Sequence, residues 1–223
     1  MVTSQRSHQA TTPSARSQTT AGLLLLGSGA AVLLVIVTAE ALYPAAYDST
    51  VNTVSDLAAM RPDDVVRQPS AAIFNVAMVV IGAAIAVAAG LLARSRVRTS
   101  AWLPLAGLGL GMVLVGFFPG NTIMGVHQLV SLLAFVSGGL AAVLTARLLP
   151  RPLRPVQVVL GIVALGFLLG YELLGELAFF EELGEGGTER WIVYTVSLSL
   201  VVLGSGLAAG PPVTARGDLG PGS

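Results

Sequence analysis

Residues 21–43, AGLLLLGSGAAVLLVIVTAEALY, contain one charged side chain, Glu40, close to the far end. About 20 consecutive apolar residues carry an α-helix across the hydrocarbon core of a bilayer, so this run reads as a transmembrane helix. Arg6 and Arg16 ahead of it, with the small-residue pattern Ala39-Glu40-Ala41, also resemble a secretory signal and its cleavage site. The run is long for such a signal and another span follows, so it is read as a retained first helix.

Working outward, further runs of the same character occupy 71–93, 101–118, 125–147, 155–177 and 190–209. They are continuous rather than alternating, which predicts helices and not the strands of a barrel, since backbone polar groups in lipid need internal partners. The composition agrees: 54% of the residues are hydrophobic and 11% charged, against about a quarter charged in a soluble domain. The predicted fold is all-α, a polytopic bundle of six transmembrane helices over 21–210. Residues 1–20 are expected to be a disordered tail and 211–223 a flexible one, because neither carries apolar periodicity.

Loop charges orient the bundle. Arg94, Arg96 and Arg98 occupy the second connection and Arg147, Arg151 and Arg154 the fourth, with no acid in either. The first connection holds Asp48, Asp56, Asp63 and Asp64 against Arg61 and Arg67; the fifth holds Glu181, Glu182, Glu185 and Glu189 before Arg190. The positive-inside rule predicts that the arginine loops are cytoplasmic. Six spans then place both termini inside, in accord with Arg6, Arg16 and Arg216. All twelve basic residues are arginine, which with abundant Ala and Gly reads as the coding bias of a GC-rich bacterial genome. The expected location is a bacterial plasma membrane.

Several classes of function are excluded or disfavoured. A net charge of zero argues against nucleic acid as a partner. The absence of cysteine removes disulfides and thiolate chemistry. Within the bundle His127 is the one histidine, too few for the usual ligand set of a hydrolytic zinc site, so no metal and no cofactor are expected. The inner halves of the spans are nearly free of polar residues, which disfavours a transporter with a midplane site.

The polar residues gather instead at the predicted outer end. Asn52, Ser55 and Asp56 in NTVSDLAAM, residues 52–60, would share one face of a short interfacial helix or lid at spacings of three and four. Asn75 lies one turn into the second helix after Ser70, a predicted N-cap. Pro119 and Asn121 make the turn before His127, which shares a face with Ser131. Glu172 and Glu176 are also four apart, and Arg190 is expected to pair with Asp56, Glu172 or Glu189. A charge at membrane depth is costly unless paired or hydrated, so these faces are predicted to converge on one outward pocket. Glu40 and Glu176 are expected in the headgroup layer, Glu181, Glu182 and Glu185 in a solvated loop, and Trp191 and Tyr194 as interfacial anchors.

The stretches YPAAYDSTVNTVSDLAA (43–59), Phe74-Asn75, GFFPGNTIMGVH (116–127) and GGTER (186–190) resemble the domain-of-unknown-function 998 family of prokaryotic integral membrane proteins. The resemblance covers roughly residues 22 to 210 and implies a six-helix bundle without implying a reaction. Its motif positions here are Asn52, Ser55, Asp56, Asn75, Pro119, His127, Glu189 and Arg190.

Three functions follow as expectations. The first is binding of a lipid headgroup or small polar or anionic ligand by Asn52, Ser55, Asp56, Asn75, His127, Glu172 and Arg190, with membrane lipids as partners. The second is a purely structural role, with the cluster stapling the first outer loop to the bundle. The third is metal-free acid–base catalysis on a lipid or isoprenoid by Asp56, Glu172 and His127.

Overall fold

A computed structural model describes residues 13–61, 63, 65–122 and 125–209. Asp64, Arg6, Arg216 and most of both predicted tails lie outside the described residues. The described chain is built of helices: α1 (Pro13–Ala41), α2 (Ser70–Arg94), α3 (Thr99–Phe117), α4 (Val126–Thr145), α5 (Arg154–Leu174) and α6 (Ala178–Ala209). All six are long and apolar enough to cross a membrane.

Each helix packs on its neighbours in sequence, and α6 returns to α1, closing a ring. Short connections produce this up-and-down order, because consecutive antiparallel helices dock side by side. One further pairing, α4 with α6 across the ring, displaces α5 outward. Only 22% of the apolar window of α5 is buried, against 50% for α6. Glycines set the closest crossings. A Cβ on Gly82 of α2 would lie 2.6 Å from the Gly109 carbonyl oxygen of α3, and one on Gly22 of α1 2.8 Å from that of Gly204 of α6. Backbones touch there because no side chain intervenes.

Three local expectations are corrected. α1 begins at Pro13, so residues 13–20, expected in the disordered tail, are helical. Ser70 is not a cap: it is fully buried and its hydroxyl donates to the Leu57 carbonyl at 3.3 Å, while the Gln68 side chain accepts from the Ala72 N–H at 3.2 Å. The fifth connection is not an open acidic loop. Its acids lie in α6, which starts at Ala178 and breaks at Gly184, where φ is 71°.

The even number of spans puts both ends of the bundle domain on the side of the arginine-rich connections. The opposite face, here the acidic end, carries the α1–α2 loop, the α3–α4 turn and the start of α6.

Candidate functional site

At the acidic end, NTVSDLAAM forms a single 3-10 turn, Val54–Leu57, rather than a longer amphipathic helix. Its sequence explains this. Thr53 is the N-cap and Asp56 the third residue of the turn, a reciprocal capping box: Asp56 Oδ2 accepts from the Thr53 N–H at 2.8 Å and Thr53 Oγ1 from the Asp56 N–H at 3.3 Å. Val54 and Leu57 are buried against the bundle while Val51 is exposed. Asp56 therefore does not share a face with Asn52. Its other oxygen accepts from Arg61 Nε at 3.2 Å.

Arg190 is the second anchor, and none of its predicted partners meets it. The ion pair is with Glu40, through Nε at 3.2 Å and through Nη2. Nη2 also donates to the Tyr47 hydroxyl at 2.9 Å. Nη1 reaches the carbonyl oxygens of Ser49, Asn52 and Gly186 at 2.8–2.9 Å. A guanidinium has five N–H donors, and each of its three nitrogens is engaged here by the protein itself. The guanidinium also lies 5.5 Å from the centre of the Tyr47 ring. Burial, against the opposing pull of Arg190, raises the pKa of the Tyr47 phenol, so it remains neutral and donates to the Thr53 carbonyl at 2.6 Å. Glu40, expected in the headgroup layer, is thus the counter-ion of Arg190. Asn52 is held by its own loop: its side-chain oxygen accepts from the Asp48 N–H at 2.9 Å.

Gly186 belongs to this anchor. Its N–H donates to the Thr50 carbonyl at 3.0 Å, and a Cβ there would come within 2.6 Å of the Ser49 oxygen. The glycines ahead of Arg190 let the 48–52 loop lie directly on the α6 backbone.

Three other predicted residues border a hollow between α4, α5, α6 and the 3-10 turn. Ser55, His127 and Glu172 line it, joined by Arg61, Glu185 and Glu189. Its volume is about 180 Å³. The exposed Gln128 and Leu132 of α4 and the exposed Glu172 of α5 form a rim between those helices. His127 is buried and its Nδ1 lies 2.8 Å from the Phe118 carbonyl oxygen. A carbonyl only accepts, so Nδ1 carries a proton, and Nε2 faces Ser131 Oγ, 3.4 Å away. Glu185, expected in a solvated loop, accepts from Arg61 Nη2 at 2.9 Å. Pairing with Glu185 and Asp56 outweighs desolvation and raises the Arg61 pKa, so the guanidinium is charged. Glu189 Oε2 accepts from the Val54 N–H at 3.0 Å, tying α6 to the turn.

Beneath this vestibule lies a second, smaller cavity inside the helix ring, with a volume of about 70 Å³. Apart from Ser55, Ser131, Ser197 and Glu189 its walls are apolar, including Ile36, Phe74, Met112 and Leu200. Ser55, Ser131, Phe135 and Glu189 line both cavities. From Glu189 to Leu200 the shaft descends roughly 16 Å at the rise of an α-helix, about half the ~30 Å hydrocarbon thickness.

Asn75 lines neither cavity, and its Oδ1 is buried without a hydrogen-bond partner. Sequence reasoning passed over Arg61, Glu185 and Gly186. The available clues were an arginine five residues after Asp56 in an acidic loop and the run GEGG just before Thr188-Glu189-Arg190.

Six apolar spans, a closed helical ring and a polar cluster at one end define a polytopic α-helical membrane protein. Residues 15–206 match the family model described as "Protein of unknown function (DUF998)", and the chain belongs to that family. No curated protein and no solved structure matches it.

Proposed function

We propose that this chain binds a lipid headgroup or small polar ligand at the acidic end of its bundle, and that this end faces outward from a bacterial plasma membrane with both termini cytoplasmic. The observation that carries the reading is the junction of the two cavities at Ser55, Ser131, Phe135 and Glu189. A polar vestibule that continues into an apolar shaft suits an amphiphile. Its head meets hydrogen-bonding groups while its tail replaces contacts otherwise made with lipid. Arg190 has no role in this reading as an anion contact, because its donors are engaged internally. The ligand-facing groups are Ser55, His127 and Glu172 with Arg61, Glu185 and Glu189, and the 3-10 turn is the lid.

A structural role is supported for the remaining half of the cluster. Arg190 holds the first loop on α6 through the Asn52 carbonyl, Asn52 and Asp56 brace that loop internally, and none of the three lines the hollow.

The test is lipid analysis of the protein purified in mild detergent, by native mass spectrometry. Wild type is expected to retain a defined bound species. Ser131→Phe, which plugs the junction, should lose it while melting within a few degrees of wild type. Retention of the same species by the plugged variant would remove the proposal.

A further inference from the structure

The charge on the vestibule walls selects among amphiphiles. Arg61 is the guanidinium there, and it is matched by Asp56 and Glu185. Glu172 and Glu189 have no such match: among the described residues no arginine lies within ion-pair distance of either. Glu189 receives one backbone N–H, and the Glu172 carboxylate stands at the rim. His127 adds a ring nitrogen that faces Ser131, and Ser55 and Ser131 add hydroxyls. The lining therefore offers hydrogen-bond acceptors and two carboxyl groups without a counter-ion in a setting of low polarity, where an unpaired carboxylate is costly and a cation would relieve that cost.

The shaft sets the other half of the ligand. A water site needs on the order of 10–15 Å³ measured the same way. The 70 Å³ interior thus amounts to only a few such sites, and its lining runs along roughly 16 Å of α6, from Glu189 to Leu200. So small a volume suits one unbranched chain rather than paired chains or fused rings.

We infer that the site takes a single-chain amphiphile with a cationic amine head. The ammonium sits between Glu172 and Glu189 in the vestibule that His127 also lines, and the chain passes Phe135 into the shaft. This rests on the ligand-binding reading above and gives it a chemical class.

The experiment uses the full-length protein in amphipol, with dodecylamine, dodecanol, dodecyl phosphate and butylamine as probes. Binding is read by native mass spectrometry and by the shift in melting temperature. Dodecylamine is expected to bind saturably and at least tenfold more tightly than the alcohol or the phosphate, and butylamine at least tenfold more weakly than dodecylamine. Glu172→Gln, at an exposed position, and Glu189→Gln, which keeps an acceptor for the Val54 N–H, should each weaken dodecylamine fivefold or more and leave dodecanol unchanged. Dodecanol or dodecyl phosphate binding as tightly as the amine would overturn the charge assignment while leaving a ligand site in place. Equal binding of butylamine and dodecylamine would overturn the role of the shaft. If no probe binds saturably, and Ser131→Phe changes nothing, the ligand-binding reading itself fails.

Discussion

Replacing Arg190 by Met removes the positive charge and the side-chain hydrogen bonds that α6 makes to the 48–52 loop, while keeping much of the side-chain volume. Glu40 is then left as a partly buried carboxylate without its counter-ion, and the carbonyls of Ser49, Asn52 and Gly186 lose their donor. Removing one partner of a buried ion pair costs about 3–5 kcal/mol. The Glu40 side chain keeps 25% exposure, so water relieves part of the loss and about 3 kcal/mol is the better figure. For a chain of this size that corresponds to a drop of roughly 6–12 °C in melting temperature. Arg190→Lys should fall nearly as far, since three rotatable donors on one nitrogen do not reproduce a planar fork.

The assay is thermal unfolding of the detergent-solubilised protein followed by size-exclusion chromatography. The double variant Glu40→Gln/Arg190→Met should melt above Arg190→Met alone, with a coupling of about 1 kcal/mol or more, as expected for residues in contact. A single variant melting within about 2 °C of wild type, or a cycle without coupling, would refute the account of Arg190 as an internal clamp. So would an Arg190→Met protein that keeps its melting temperature and loses only a bound ligand.

Other outcomes follow from the same geometry. Gly186→Ala forces a Cβ against the Ser49 and Asn52 carbonyls and should destabilise by about 1–3 kcal/mol, measurable in the same unfolding assay. Gln157 is fully buried with Oε1 unpartnered and Nε2 3.2 Å from Thr145 Oγ1. Gln157→Met exchanges one hydrogen bond for the removal of an orphaned acceptor, so stability should change by less than about 1 kcal/mol. The chain has no cysteine, which permits single-cysteine topology mapping. A membrane-impermeant thiol reagent applied to intact cells should label cysteines at Asp63 and Glu181 and spare those at Arg96 and Arg151; the reverse pattern would invert the proposed orientation.

The spans were legible because they rest on the most local of properties, the length of an apolar run. Predicted and observed boundaries agree closely for α2 to α4, and differ where a helix continues past its apolar segment. α1 extends through polar residues 13–20, and α6 through the acids before Arg190, because helical hydrogen bonds do not require apolar side chains outside lipid. Which residues meet across the acidic end was less legible. Gathering Glu40, Asp56, Glu172, Glu189 and Arg190 at one end follows from topology alone. Pairing them does not, since Glu40 and Arg190 are 150 residues apart and any of the acids satisfies the same charge argument. The pairing is decided by Gly186, whose missing side chain brings the 48–52 backbone within reach of Arg190. At 3.6 residues per turn, Asp56 would share a face with Asn52. The capping box with Thr53 tightens the segment to a 3-10 turn and points the carboxylate back at its own backbone.

Glu189 and Arg190 are neighbours on α6, so their side chains leave the helix roughly 100° apart. That divergence explains how one turn of helix serves two purposes. Arg190 turns toward the 48–52 carbonyls, which in an irregular loop lying on a helix would otherwise be buried without donors. Glu189 turns into the ring, takes the Val54 N–H and borders both cavities. The loop is thus gripped on either side of Thr53: Arg190 fixes where it lies, and Glu189 fixes the turn that roofs the hollow. The two residues separate experimentally for this reason. Loss of Arg190 loosens the roof and lowers stability and ligand retention together. Glu189→Gln keeps an acceptor for the Val54 N–H and takes the carboxyl group out of the cavity, so ligand retention should fall with the melting temperature unmoved. Parallel losses of stability in both variants would mean that Glu189 belongs to the clamp and that the vestibule has no charge-reading role.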